Sequence, residues 1–335
     1  MAHETIINPP ELQILLNKFD DYSISFPAFS KDTILTATPF NDCYKIKVND
    51  NYFDSDRDGL NIFNDIYYSE IPNNQDFLEC LLSSNCITYP NVGDFEYIRK
   101  SYKNIHKKVY FAVDTNILYH RFISFSKLKE EKIVLAPTIK DEIESSMNYK
   151  YNREEINEIK KIVRYNKNLF DEFRNRRTKK SRKAAYFALN ELKLLNILNI
   201  DSVKIEQENY EQNDLKIVRE LKAFENDSGA LVVLLTADRA MVDFCRIESL
   251  DYFNFDYPNT FNINTCSAQQ FRSLIFNLAV VFGFIKLNST IIFGEFSGKH
   301  ELDNLKIRFL NKNLYNKFEK DLSICRKLEK LNFDF

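Results

Sequence analysis

The spacing of apolar residues changes at about residue 107, and that change divides the chain. Before it, residues 1–105 carry short apolar runs broken by turn signals and no long helical period, the pattern of a small mixed domain. From Lys107 the apolar blocks become strand-length. KKVYFAVDTN reads as a buried strand and NILYHRFISFSKLK as the helix after it, and KIVLAPTIKDEIESSMN repeats the theme as a short strand, a Pro-marked turn and a helix start. A strand followed by a helix, repeated, predicts a parallel sheet. Residues 152–199 read as helix, because EEINEIKKIVRYNKNLFDEF and AAYFALNELKLLNIL each place apolar residues three and four apart. Next come a strand (DSVKIEQE), a helix (NDLKIVRELKAFEN), a Val- and Leu-rich strand (ALVVLLTAD) and an edge strand (YFNFDY). A helix over 267–281, a hairpin of STIIFGEFSGK with NLKIRFL, and a polar helix from about 312 to 331 complete the chain.

Composition adjusts this picture only slightly. Hydrophobic residues make up 44% of the sequence, enough for a sizeable core. With 46 basic and 48 acidic residues the formal net charge is -2, so affinity for nucleic acid has to come from a local patch. The cysteines Cys43, Cys80, Cys86, Cys245, Cys266 and Cys325 form no CxxC pair, have no His in metal-ligand spacing and sit mostly among apolar neighbours, as reduced core thiols do. MAHETIINPPEL lacks the basic start and apolar core of a secretory signal. The apolar segment from Leu274 to Leu287, interrupted by Asn277, falls short of the roughly 20 residues that cross a bilayer and reads as a buried helix running into a strand. The expectation is a cytoplasmic protein with no membrane partner.

Candidate chemistry lies in carboxylates that recur at equivalent places in the predicted sheet. Asp114 ends the first strand, Glu142 follows the turn after VLAPT, Asp214 precedes IVRELKAF, and Asp238 ends VVLLT. In a doubly wound parallel sheet the carboxyl ends of neighbouring strands converge on one crevice, so the four acids can meet there. Crowded carboxylates repel one another and shift their pKa values upward unless a cation neutralises them. Oxygen ligands of this kind suit Mg²⁺ or Mn²⁺, ions that activate water and steady the charge building on a phosphate. Asp114 alone would read as a helix cap, and Asp238 beside Arg239 as a surface ion pair. Asp227 in ENDSG is an alternative third acid, although Asp214 leaves room for a helix before LLTAD. Asp243 is a candidate fifth acid. His120 and Arg121 read as packed or exposed helix positions.

DTN after an apolar strand, PTIKDEIES, ND with Ile three residues after the Asp, and LLTAD, in that order, resemble the PIN domain, a metal-dependent ribonuclease fold. The resemblance covers roughly residues 107–265. It implies an α/β fold of three layers, α/β/α, with a central parallel sheet at 106–265 and a helical basic insertion at about 150–200. It also implies that Asp114, Glu142, Asp214 and Asp238 hold the metals, with supporting roles for Asn116 and Thr236. The activity implied is a metal-dependent endoribonuclease leaving 5′ phosphate and 3′ hydroxyl ends. A chain longer than the compact toxins of the family points to RNA processing, decay or defence. Two other readings stay open: a catalytically silent PIN-like scaffold that binds RNA or protein, and a structure-specific DNA nuclease.

Two charged stretches carry further expectations. RNRRTKKSRK holds seven basic residues (Arg174, Arg176, Arg177, Lys179, Lys180, Arg182 and Lys183) and no acid, and in the family reading it tracks an RNA or DNA backbone. Otherwise it is a solvated segment between helices. DSDRDGLNIFND matches the calcium-loop spacing, with Asp54, Asp56 and Asp58 as ligands, Gly59 at the turn, the Leu60 carbonyl and Asp65 at the twelfth position, and it resembles the single loops of dockerin or thrombospondin type repeats. The competing reading is an acidic Asp-Gly turn. The C-terminal helix, hairpin and helix at 266–335 are expected to pack on the nuclease domain, dimerise or bind a partner.

Overall fold

The computed structural model describes residues 3–53, 66–195, 197–199 and 213–331. The chain divides into two units that alternate along the sequence: Met1–Cys86, Lys150–Arg182 and Phe261–Phe335 form one, and Ile87–Tyr149 with Lys183–Thr260 form the other.

The second unit carries the predicted parallel sheet. Its strands lie in the order Ile197–Asn199, Ile133–Leu135, Val109–Val113, Leu231–Thr236, Asp251–Asn254, and every neighbouring pair is parallel. The interior strands are almost wholly buried Val, Leu, Ile, Phe and Ala, as strands covered on both faces must be. Helices Thr115–Tyr119, Pro137–Ser146 and Arg239–Glu248 each follow a strand, and Asn213–Ser228 precedes Leu231–Thr236. Pro137 opens its helix at a position where the missing N–H costs nothing.

Three predicted helices are interrupted. EEINEIKKIVRYNKNLFDEF ends as helix Arg153–Ile162 and resumes as the 3₁₀ helix Lys167–Phe173 after Asn166 at a left-handed φ of 48°. NILYHRFISFSKLK splits into Thr115–Tyr119, Phe122–Phe125 and the 3₁₀ turn Lys127–Glu130, because Arg121 takes a left-handed φ of 53°. Tertiary contacts outweigh helix propensity there: Arg121 pairs with buried Glu191 at 3.7 Å, and His120 is clasped between Tyr89 and Tyr257. In AAYFALNELKLLNIL the helix ends at Leu194 and Ile197–Asn199 becomes an edge strand of the sheet. The predicted strand DSVKIEQE lies outside the described residues.

The first unit corrects the expected domain boundaries. One antiparallel sheet takes strands from both ends of the chain in the order His3–Ile7, Leu305–Phe309, Thr290–Phe293, Phe284–Leu287, Tyr22–Ser25, Leu35–Phe40, Cys43–Val48, Thr265–Ser267. Because the first strand pairs with the last described one, His3 opposite Phe309, residues 1–105 and 266–335 are not separate domains. Residues Lys150–Arg182 belong to this unit too, and so are not an insertion within the parallel-sheet unit. The hairpin, the polar helix (Lys312–Lys330) and the buried helix running into a strand all form as predicted, the last as Ala268–Phe282 turning into Phe284–Leu287 through Gly283 at φ 84°. Among the described residues no helix is long and apolar enough to cross a membrane.

Arg182 closes the end of that buried helix. Its guanidinium, 1% exposed, donates to the carbonyls of Val280 (2.7 Å), Val281 (2.9 Å) and Arg177 (2.9 Å). The first two are among the last-turn carbonyls that no helical N–H can reach, and a cation suits that end of the helix dipole.

Close packing of this helix on the sheet sets a strict steric limit at Gly294, where a Cβ would lie 2.3 Å from the Ala279 carbonyl oxygen and 2.5 Å from the Val280 nitrogen. Gly294→Ala is expected to cost about 1–3 kcal/mol or more. Gly93→Ala, in a helix with open space around it, serves as the neutral control. Urea denaturation midpoints of the two variants check this, and equal midpoints would refute the steric limit.

Candidate active site

Strand order decides where the acids can gather. From Val109–Val113 the sheet grows one way through Ile133–Leu135 to Ile197–Asn199 and the other way through Leu231–Thr236 to Asp251–Asn254. The reversal falls between Val109–Val113 and Leu231–Thr236, and such switch points open a crevice at the carboxyl ends of the strands. Asp114 follows one of these strands directly, and Asp238 lies two residues beyond the other.

Asp114 sits at the N-cap position of Thr115–Tyr119, yet its side chain makes no capping bond. Its carboxylate instead accepts from the Thr236 hydroxyl at 3.0 Å and from the Asn116 amide at 3.4 Å. The same Thr236 oxygen accepts from the Asp238 N–H at 2.9 Å, so one hydroxyl links the two strand ends. Asp238 does cap its helix, accepting from the Ala240 N–H at 2.8 Å. Glu142, on Pro137–Ser146, accepts from the Thr115 hydroxyl at 2.9 Å. Asp214 lies in the first turn of Asn213–Ser228.

Electrostatics tie the four together. Asp114 is 5% exposed, and burial pushes its carboxyl up to about 6, a rise partly offset by the Thr236 hydroxyl and the Thr115 N–H and reinforced by Asp238 and Asp214. Asp214 is raised by burial first, then by Asp238 and Glu142. These couplings favour Asp214 over Asp227, which stands in the last turn of the same helix, thirteen residues or about 20 Å along it. Asp243 is exposed and paired with Arg246 at 3.4 Å. His120 and Arg121 are packed, partnered positions.

The donors are hard oxygens that repel one another, chemistry that suits a divalent cation, but they do not form a ready-made cage. Among the described residues no three Asp, Glu, His or Cys side chains stand together closely enough to hold a metal ion. The calcium-loop residues Asp54, Asp56, Asp58, Leu60 and Asp65 lie outside the described residues.

The sequence profile of the PIN domain matches residues 111–255. The chain contains a PIN domain. A solved domain of a functionally unknown protein from Methanocaldococcus jannaschii DSM 2661 is similar at 13% identity, covering 45% of this chain and 94% of that one, with a TM-score of 0.28. No curated protein matches the chain. PIN domains are in general nucleases, and Asp114, Asn116, Glu142, Asp214, Thr236 and Asp238 all fall inside the matched segment.

Structure adds two residues to the PIN site and removes two cations from the basic run. Thr115, the middle residue of DTN, positions Glu142. Glu220, 3% exposed, accepts from the Thr138 N–H (3.0 Å) and hydroxyl (2.7 Å), locking the Asp214 helix to the Glu142 helix. The signal for Glu220 was an acid inside the apolar stripe of Ile217, Val218 and Leu221. In the other direction, Arg182 is spent on helix carbonyls, and Lys179 donates to Asp76 at 2.6 Å and to the Ile71 carbonyl, so neither is a phosphate contact. Arg174 and Lys180 are exposed, and Arg176, Arg177 and Lys183 are half-buried.

The raised Asp114 pKa makes a signed prediction for the metal-free protein. The unfolded chain releases this proton near 3.8 and the folded chain near 6, so folded protein binds more protons between those values and stability falls as pH rises through them. Asp114→Asn removes that loss. At pH 8 in EDTA the variant should unfold at higher urea than the parent, by up to about 3 kcal/mol, and the difference should disappear near pH 3.5. A variant that is no more stable at pH 8 would contradict the burial argument.

Proposed function

We propose that this PIN domain is a metal-dependent endoribonuclease that hydrolyses RNA phosphodiesters. The supporting observation is the state of Asp114: a buried carboxylate that accepts from the Thr236 hydroxyl of the neighbouring strand and lies within the field of Asp238 and Asp214 at the switch point of a parallel sheet. Asp114 and Asp238 would anchor a bound Mg²⁺ or Mn²⁺, and Glu142 and Asp214 would complete the acidic site. The ion supplies a lowered pKa to bound water and charge neutralisation at the phosphate. Asn116 and Thr236 orient Asp114, and Thr115 orients Glu142. The exposed cations Arg174 and Lys180 would contact an RNA backbone, in a manner that weakens with salt. The absence of three convergent ligands among the described residues favours a second reading, a silent scaffold that binds RNA or protein.

Cleavage of labelled single-stranded RNA and single-stranded DNA, with Mn²⁺, Mg²⁺ or EDTA, separates these readings. The expected result is metal-dependent RNA cleavage that falls at least about a hundredfold in Asp114→Asn. Metal affinity, read as the Mn²⁺ concentration for half-maximal cleavage, should improve as pH rises through about 6, because the buried Asp114 must give up its proton before a cation can bind. Cleavage of DNA alone would select the DNA nuclease, and folded, metal-loaded protein inert on both would select the scaffold.

A further inference from the structure

We infer that the antiparallel-sheet unit carries a nucleotide-binding pocket, a site for one aromatic base with its phosphate. Strand register builds the floor. Ser25 stands opposite Lys286, Lys286 opposite Ile291 and Ile291 opposite Arg308, so these side chains form one row on one face of the sheet. Above the row is a cavity of about 510 Å³, within the range of small-ligand sites. Its walls include Ser30, Lys31, Tyr165 and Asn168, and none of its described lining residues is acidic.

Tyr165 is the base platform. Tyr165 is 37% exposed, and its backbone is pinned. The Tyr165 N–H donates to the Ala28 carbonyl at 3.1 Å, and the next residue, Asn166, held at a left-handed φ of 48°, donates its side-chain amide to the Pro27 carbonyl at 2.7 Å. The Lys31 ammonium lies over one face of the ring, 5.4 Å from its centroid, which leaves the opposite face for a base.

Cation use separates binding groups from scaffold. Arg308 is held by Glu4 and by Glu172 at 3.0 Å, which fixes its position and neutralises much of its charge. Lys31 and Lys286 pair with no acid among the described residues, leaving two ammonium groups for a phosphate. Asn168 offers hydrogen bonds to a sugar or base edge, while the Ser30 hydroxyl is held by Asp32, donating to its carboxylate and accepting from its N–H. An aromatic face with two cations lining the same cavity is the chemistry that holds a nucleotide by stacking and by charge. The nucleotide is either free or part of an RNA strand.

This inference does not depend on the PIN site being catalytic, and its test is run in EDTA on the full-length Asp114→Asn protein to keep the two apart. Titration calorimetry with AMP, adenosine and inorganic phosphate, and fluorescence anisotropy with a labelled ten-nucleotide single-stranded RNA, are repeated in Tyr165→Ala, Tyr165→Phe and Lys286→Ala backgrounds. AMP is expected to bind more tightly than adenosine or phosphate, with a loss of roughly tenfold in Tyr165→Ala and in Lys286→Ala and near-parental affinity in Tyr165→Phe. RNA binding with that same variant pattern, in place of AMP binding, assigns the pocket to a strand nucleotide. No binding of AMP or RNA by the parent, or binding that Tyr165→Ala and Lys286→Ala leave unchanged while their unfolding midpoints match the parent, overturns the inference.

Discussion

The pairing of Val109–Val113 with Leu231–Thr236 is the constraint on which the PIN unit depends. Its register sets Val113 opposite Leu235 and extends one step further, the Asp114 N–H donating to the Leu235 carbonyl at 3.0 Å. That step delivers the Asp114 carboxylate to the Thr236 hydroxyl, which also accepts from the backbone of Asp238. Since side chains alternate faces along a strand, a slip of one residue would turn Asp114 and Thr236 away from each other. Five parallel strands therefore act as a register device for one acidic crevice.

The crevice works against the fold that builds it. Burial and neighbouring acids both disfavour an ionised Asp114, so the metal-free site stores electrostatic cost that a bound divalent cation would relieve. Hydrogen bonds from Thr236, Asn116 and Thr115 hold Asp114 and Glu142 without neutralising them. Glu220 shows the contrasting use of a buried acid: satisfied by both donors of Thr138, it fastens two helices together.

Buried cations are used in a comparable way in the antiparallel-sheet unit. Arg182 donates to last-turn carbonyls of helix Ala268–Phe282, Val281 and a Val280 oxygen shared with the Gly283 N–H, and Lys179 neutralises Asp76. A guanidinium fork can serve several diverging acceptors at once, which one ammonium cannot do as well. A run that looks uniformly basic is thus split between interior scaffold and surface charge.

The sequence by itself determined four of the five parallel strands, most of the helices beside them and the order of the acidic motifs, because strand-length apolar runs and caps are local properties of a chain, whereas Ile197–Asn199 continues a helical pattern and becomes a strand only by pairing with Ile133–Leu135. It also revealed the buried helix that turns into a strand, where Gly283 permits the positive φ the turn requires. Only tertiary structure could decide which ends pair. His3–Ile7 meets Leu305–Phe309 across almost the whole length of the chain, and no local pattern specifies a partner so distant. The same holds for the break at Arg121, imposed by Glu191 and the contacts of His120, and for the interior fate of Arg182. Charge is written in the sequence, but burial, which decides whether a charge meets a phosphate or a helix end, belongs to the packed molecule.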